Sequence, residues 1–503
     1  MRSWSLDWLQ QEGWQEDLAD HARQRNLGAH LVHLFRQAIS TNKLHPGDRL
    51  PSARDLVAEL GISRKTAAYV YEQLYAEGYV YGRVGSGTYV SAVTPAMVHR
   101  AMRPGDVGLP EDAVAAPNEI RLSERAQKIL ENGGVGERQW GAFMPGVPDV
   151  TAFPRAAYAR IVNQLWRHAQ PEMLTYGTTG GAVQLKSELA NYLRVGRAVQ
   201  CEPQQVLITE GLHQALDLVI RSLLNPGDTV WMEEPGYWGI NNLLQFTPGV
   251  RIVRLPVDAE GMCIDPSGPP PKLIFTTPSH QYPLGAVMSL GRRKSLLEYA
   301  RAHRAWIVED DYDSEFRFGG RQMPCMQGMV GHAPVLYLGT FSKTLFPGLR
   351  VSYMVTPPEL VGPMHRMQSE IYRQGHQVTH LALGEFIRQG HYTKHIRKMR
   401  VVYARRREWL RSLITRYLGP QFLAPIDSHA GLHLVLHLPK RVDDVKVCAE
   451  LKANGILSKP LSTYYAGPDK QKGLLLGYAA TEETASQIAF FQMLHVLRKF
   501  GIG

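Results

Sequence analysis

A lysine on a short tether beyond a buried strand can form a Schiff base with an aldehyde cofactor, while hydroxyls and an arginine nearby hold a phosphate. The chain offers that set in Gly339-Thr340-Phe341-Ser342-Lys343-Thr344-Leu345-Phe346-Pro347-Gly348-Leu349-Arg350, directly after the apolar run Val335-Leu336-Tyr337-Leu338. Alone, Lys343 is a weak signal, because most lysines are merely solvated. A second stretch gives it company. In Trp306-Ile307-Val308-Glu309-Asp310-Asp311-Tyr312-Asp313 an apolar strand runs into acids, and alternation puts Asp310 and Tyr312 on one face. An unpaired carboxylate leaving such a strand is costly, and a protonated pyridine nitrogen is a fitting partner for it. Tyr312 then has a ring oxygen to donate to. The plainer alternative is a run of acids capping a helix.

Other strand ends add to the set. Val206-Leu207-Ile208-Thr209 reads as a buried strand that passes through Glu210-Gly211-Leu212-His213 into a helix, and the free N–H groups of such a helix start suit an anion. Thr229-Val230-Trp231-Met232 reads as another, ending in Glu233-Glu234-Pro235-Gly236-Tyr237-Trp238; an aromatic there can stack on a flat ring. Lys272 to Thr276 leads into Thr277-Pro278-Ser279-His280-Gln281-Tyr282-Pro283-Leu284-Gly285. From about residue 138 strand-like and helix-like segments alternate, which predicts an α/β doubly wound domain.

At 503 residues the chain is too long for one ordinary core, so two or three domains are expected. The formal charge of +10 permits a polyanionic partner without requiring one. Cys201, Cys263, Cys325 and Cys448 stand far apart, which argues against a disulfide framework or a zinc site and for a reducing cytoplasm; no metal is expected. No apolar run is long enough to span a bilayer, and the first ten residues carry no signal-peptide pattern, so no membrane partner is expected.

The first hundred residues have another character. Leu31, Val32, Leu34, Phe35 and Ile39 lie at helical spacing, Ser52 caps a short helix from Ala53 to Leu60, and Ser63 caps a third from Arg64 to Glu77. Gly78 to Val90 alternates like a hairpin with a glycine-rich tip. The order is that of a winged helix-turn-helix, whose third helix enters the major groove of double-stranded DNA with Ser63, Arg64, Lys65 and Thr66 leading. Arg54 and the amides at Gly85 and Gly87 would hold phosphates and set register. The words Leu50-Pro51-Ser52-Ala53-Arg54-Asp55-Leu56, Gly61-Ile62-Ser63-Arg64-Lys65-Thr66, Glu77-Gly78-Tyr79 and Gly85-Ser86-Gly87-Thr88-Tyr89-Val90 resemble the GntR-type DNA-binding head. The expected division is a head at 25–92, a proline- and glycine-rich linker at 93–137 with one short helix near Leu122 to Leu130, and a body at 138–503.

The order of anion site, aromatic, acid-x-tyrosine and lysine resembles fold-type I aminotransferases. Thr277-Pro278-Ser279-His280-Gln281-Tyr282-Pro283, Glu309-Asp310-Asp311-Tyr312-Asp313-Ser314-Glu315-Phe316-Arg317 and Gly339-Thr340-Phe341-Ser342-Lys343 are similar, more closely, to the MocR/GabR regulators, which join a GntR-type head to an aminotransferase-like body binding pyridoxal phosphate. That resemblance implies a large domain of the aminotransferase fold with a small α+β domain at the C-terminal end. It implies Lys343 as the Schiff-base lysine, Asp310 for the pyridine nitrogen, Tyr312 for the ring oxygen, Tyr237 for stacking, and Gly211, Leu212, Thr340, Ser342 and Arg350 for the phosphate. His280 joins the cofactor set, and Tyr176 matches a position that reaches the partner subunit's cofactor, so a homodimer is implied.

The implied function is regulation of transcription by operator binding that responds to an amine or amino-acid effector or to pyridoxal phosphate itself, with at most vestigial transaminase activity. The alternative is a working aminotransferase carrying an accessory DNA-binding head. Two departures bear on the effector. Trp238 follows Tyr237 where regulators that bind an amino acid can place an arginine, and Gly473-Leu474-Leu475-Leu476-Gly477-Tyr478 offers leucines where another is expected. The bidentate grip on a carboxylate is missing, leaving Arg373 or Arg317 as substitutes. The basic stretch from His395 to Arg407 is expected to form a solvated helix face.

Overall fold

A computed structural model describes residues 27–83, 85–92, 122–131, 139–177, 180–245, 247–319, 323–424 and 429–502. The chain forms two compact units, residues 1–122 and 123–503.

In the first unit, helices α1 (Leu27–Ser40), α2 (Ala53–Leu60) and α3 (Arg64–Ala76) precede a hairpin of β1 (Val80–Arg83) and β2 (Gly87–Val90). Each boundary has a local cause. Ser52 Oγ accepts from the Asp55 amide while the Asp55 carboxylate accepts from the Ser52 amide, a capping box that starts α2. Gly61 ends it in the left-handed region at φ 64°. Ser63 Oγ accepts from the Thr66 amide at 3.0 Å and starts α3. The apolar faces close on one core of Leu31, Phe35, Leu56, Ile62, Val70 and Leu74, sealed by Val80 and Val90 of the hairpin. Of the expected linker, 93–121 and 132–137 lie outside the described residues; α4 (Glu124–Glu131) is the expected short helix.

The second unit begins with α5 (Arg155–Arg167) and α6 (Val183–Arg197). β3 (Val206–Thr209), α7 (Leu212–Leu223), β4 (Thr229–Glu234), α8 (Trp238–Gln245), β5 (Arg251–Asp258), β6 (Gly261–Met262) and β7 (Leu273–Thr276) follow. Next come α9 (Leu290–Ala302), β8 (Trp306–Asp310), α10 (Met326–Met329), β9 (Val335–Thr340) and β10 (Ser352–Val355). They build an eight-stranded sheet in the order β3-β10-β9-β8-β7-β4-β5-β6. The five strands β9, β8, β7, β4 and β5 run parallel, β10 is antiparallel to both its neighbours, and β6 is antiparallel to β5. β3, β4, β7 and β9 are almost wholly buried, as expected where helices cover both faces of a parallel sheet. Such a sheet gathers its ligand-binding loops at the carboxyl ends of the parallel strands, where Asp310 and the segment after Thr340 emerge.

Helices α11 (Val361–Tyr372), α12 (Gln377–Arg388) and α13 (His391–Tyr417) lead to a small α+β unit of β11 (His433–Leu438), α14 (Asp444–Ala453), β12 (Lys459–Pro460), β13 (Lys472–Gly477) and α15 (Glu483–Lys499). Its antiparallel sheet has the order β11-β13-β12. The basic stretch on α13 is not simply a solvated face. Arg397 and Lys398 are exposed, but Arg406 is buried against Asp149 at 2.9 Å and donates to the Ala479 carbonyl, and Arg400 donates to the Glu315 carbonyl. A guanidinium is long enough to turn inward and tie the helix to loops far away in sequence, which helical period alone does not disclose.

Candidate functional site

A cavity of about 360 Å³ opens over the strand ends. Leu212, Tyr237, Asp310, Tyr312, Thr340, Ser342, Lys343 and Arg350 line it, bringing together residues expected from four separate stretches. Lys343 Nζ donates to the Gly146 carbonyl at 2.8 Å. Burial holds its ammonium below the ordinary lysine range, against the opposing pull of Asp313 and Asp310. Asp310 behaves in the complementary way. Burial, with Asp311 and Asp313 close by, pushes its carboxyl up to about 8, and its Oδ1 is buried without a hydrogen-bond partner. An orphaned buried acceptor in a ligand-sized cavity calls for a cationic or N–H partner.

The anion end is equally specific. Gly211 stands at φ 92° before α7 with no side-chain cap on the helix start, so the first amides of α7 are left for a ligand. A Cβ on Gly211 would collide with the Arg350 guanidinium, which donates to the Glu210 carbonyl at 3.0 Å. The Ser342 amide donates to Thr340 Oγ1, and so does Ser352 Oγ. Hydroxyls, amides and one guanidinium thus converge at one end of the cavity, the donor set a phosphate needs.

Some expected residues stand elsewhere. His280 lies behind Tyr312, its Nδ1 3.0 Å from Tyr312 Oη and 3.1 Å from Asp313 Oδ2, so it touches the tyrosine rather than lining the cavity. Tyr176 is 70% exposed, outside the cavity, with the Arg373 guanidinium over its ring. That contact and an exposed position keep Arg373 away from Lys343, and Arg317 lines a different cavity with Arg407 and Arg411. Neither arginine lines the Lys343 cavity of its own chain: the chain beyond β8 carries Arg317 toward the small sheet, while Arg373 caps the end of α11 beside Tyr176. Asp311 also parts from its neighbour. Arg197 meets it at 2.8 Å, Tyr337 and Ser314 donate to it, and the arginine heads the causes that hold its carboxyl low against burial. It is a structural acid held by a cation, beside an Asp310 that no arginine meets among the described residues.

Sequence reasoning passed over His213, Gly146, Tyr464 and Lys459, all of which line the cavity. His213 shares a 2.7 Å hydrogen bond with Tyr237 Oη, and Tyr282 Oη shares one of 2.9 Å with Tyr464 Oη. Only His213, two residues beyond Gly211 in the strand-to-helix turn, had a signal that pointed to it.

In the head, Arg54, Ser63, Arg64 and Lys65 are exposed along the N-terminal ends of α2 and α3, and Thr66 is half-buried under the Ser63 cap. Gly85 and Gly87 stand exposed at the hairpin tip. Arg83, which sequence reading did not single out, packs over the rings of Tyr81 and Tyr89 at 5.6 and 5.1 Å, adding a cation beside that tip.

Comparison with known proteins agrees with both units. The family of bacterial regulatory proteins, gntR, matches residues 27–90, and that of aminotransferase class I and II matches 147–484. The probable rhizopine catabolism regulatory protein MocR of Rhizobium meliloti is 37% identical over 456 residues, covering 90% of each chain. The chain belongs to the MocR/GabR-type transcription regulators. The pyridoxine biosynthesis regulator PdxR of Corynebacterium glutamicum is 28% identical over 90% of this chain and 92% of its own. Among solved structures, a kynurenine aminotransferase of Pyrococcus horikoshii matches at 26% identity with a TM-score of 0.64, over 78% of this chain and 97% of that one. The protein is a DNA-binding regulator of the pyridoxal-phosphate-dependent kind, and the orphaned acid, the phosphate-type donor set and the buried lysine fit that cofactor.

Proposed function

We propose that this regulator carries pyridoxal phosphate on Lys343 and that an amine effector, or the cofactor itself, changes the state of the body and so the placement of two DNA-binding heads in a homodimer. In this reading the head is 25–92, the tether 93–137 and the body 138–503, and the protein works in the cytoplasm, on the nucleoid when bound to its operator. Asp310 would face the pyridine nitrogen, Tyr312 the ring oxygen and Tyr237 the ring face. The amides at Gly211 and Leu212, with Thr340, Ser342 and Arg350, would hold the phosphate. When bound, the cofactor supplies an aldehyde that condenses with primary amines and a ring that withdraws electrons.

The chain's own groups prepare that chemistry. Burial favours the neutral amine at Lys343 Nζ, the form with a free electron pair. His280 holds the Tyr312 hydroxyl in place from behind, and Arg197 keeps the neighbouring Asp311 away from Asp310. In the head, Ser63, Arg64, Lys65 and Thr66 would read base edges while Arg54, Gly85 and Gly87 hold the backbone. Tyr176, exposed on the body, would reach the partner subunit's site. A hundredfold change in operator affinity requires about 2.7 kcal/mol of difference between two body states.

The observation that carries this reading is the buried Asp310 Oδ1, without a hydrogen-bond partner among the described residues, in the same cavity as the buried Lys343 amine. The test is the visible spectrum of the full chain soaked in pyridoxal phosphate, with borohydride reduction and peptide mapping. A coloured wild type with its adduct on the Lys343 peptide, and a Lys343→Ala variant without one, are expected. A colourless wild type without an adduct would refute it.

A further inference from the structure

The two positions where an arginine grip is missing are not empty. Trp238 and Leu475 belong to one apolar cluster with Val435, Leu461, Tyr464 and Tyr282, and Leu475 is wholly buried. Neither slot can take a carboxylate without leaving that charge against hydrocarbon. Directly across the small sheet, however, Lys459 pairs with Leu475 in antiparallel register. Opposed residues in such a pair share a face, so Lys459 stands on the face of the small sheet where Leu475 packs with Tyr464 and Tyr282, and it is among the cavity's lining residues.

Among the described residues, three lysines and arginines line the cavity. Lys343 is the cofactor amine, and Arg350 stands against Glu210 and Gly211 at the anion end. Lys459 comes from a different sheet and shares the lining with Tyr464, Tyr282 and Trp238. It is half-buried, and burial holds its ammonium below the ordinary lysine range.

We infer that Lys459 is the specificity-determining residue of the effector site, gripping the single carboxylate of an amino acid whose amine meets the cofactor and whose body lies against Trp238 and Tyr282. The inference rests on the cofactor reading given above and deepens it by naming the effector's second charge. One ammonium is a point charge on a flexible stem, so it accepts several carboxylate positions where a guanidinium fork demands one. The site therefore selects for the presence of the anion and tolerates differences in chain length.

The test uses full-length protein loaded with pyridoxal phosphate and follows the cofactor absorbance at equilibrium. Two matched pairs of probes are titrated: β-alanine against n-propylamine, and γ-aminobutyrate against n-butylamine. Wild type is expected to prefer the acid of at least one pair by about tenfold to a hundredfold, the range of a charge-assisted contact. Lys459→Met should bring that ratio to about one and leave the amine affinity unchanged; Lys459→Arg should keep the preference. Comparing ratios cancels the intrinsic basicity of each probe, and retained colour with operator binding certifies that each variant is folded. Should Lys459→Met not purify, Lys459→Gln carries the same comparison. An equal preference in wild type and the neutral variant overturns the role of Lys459 and leaves the cofactor reading standing, as does a wild type that does not prefer either acid. A wild type whose absorbance responds to no amine overturns both.

Discussion

Asp310→Asn separates two demands on one side chain, and their signs oppose. The Asp310 carboxyl rises from 3.8 to about 8 in the folded body. A group raised in this way binds more protons folded than unfolded across that interval, so the body loses stability as pH climbs from about 4 to about 8. At about 1.4 kcal/mol for each tenfold change in proton affinity, the ceiling on that loss is roughly 6 kcal/mol. Asparagine does not titrate, but its buried amide brings donors that need partners, at a cost of about 1–3 kcal/mol. The cofactor-free variant should therefore exceed wild type by about 3 kcal/mol at pH 8.5 and by nothing, or a deficit, near pH 4. At the same time its affinity for pyridoxal phosphate should fall by about two orders of magnitude, because a buried charge partner is lost. Urea unfolding followed by tryptophan fluorescence, which reports Trp231 and Trp306 in the sheet, measures the first across pH. Absorbance titration measures the second. A gap between the two proteins that does not widen with pH would refute the placement of Asp310 as an orphaned acid.

Three further outcomes follow from particular contacts. Gly211→Ala puts a side chain at φ 92° against the Arg350 guanidinium, so it should cost about 1–2 kcal/mol of stability and weaken pyridoxal phosphate more than pyridoxal, as equilibrium dialysis of the two will show. Arg197→Met leaves Asp311 buried without its cation and should destabilise the body by about 3–5 kcal/mol in urea; because the Asp311 carboxyl is held low in the wild type, the wild-type contribution is present above the ordinary aspartate range and fades as pH falls through the lowered value. Arg64→Ala, exposed at the start of α3, should weaken operator binding by about 1–3 kcal/mol in a gel-shift titration while leaving unfolding of the head unchanged. An unaltered affinity would count against α3 as the reading helix.

Local chemistry determined much of this protein before any folding. Ser52 with Asp55, Gly61, and Ser63 with Thr66 each settle a helix boundary within a few residues, so the head could be drawn from its letters. Lys343 and Asp310 were legible for a similar reason: each sits in a contiguous word that runs from a buried strand into a loop, and the carboxyl ends of parallel strands meet. Tertiary structure alone decided the fates of neighbouring acids. Asp311 is claimed by Arg197 from 114 residues away, whereas Asp310, one position earlier, keeps a buried Oδ1 with no hydrogen-bond partner among the described residues. It also turned Arg406 inward to Asp149, kept Arg317 and Arg373 from the cavity, and brought Lys459 to it from the small sheet. Those contacts depend on the strand orders β3-β10-β9-β8-β7-β4-β5-β6 and β11-β13-β12, which set who faces whom across distances that no sequence period spans. Residue types state what a side chain can do; the crossing of distant segments states which neighbour it does it with.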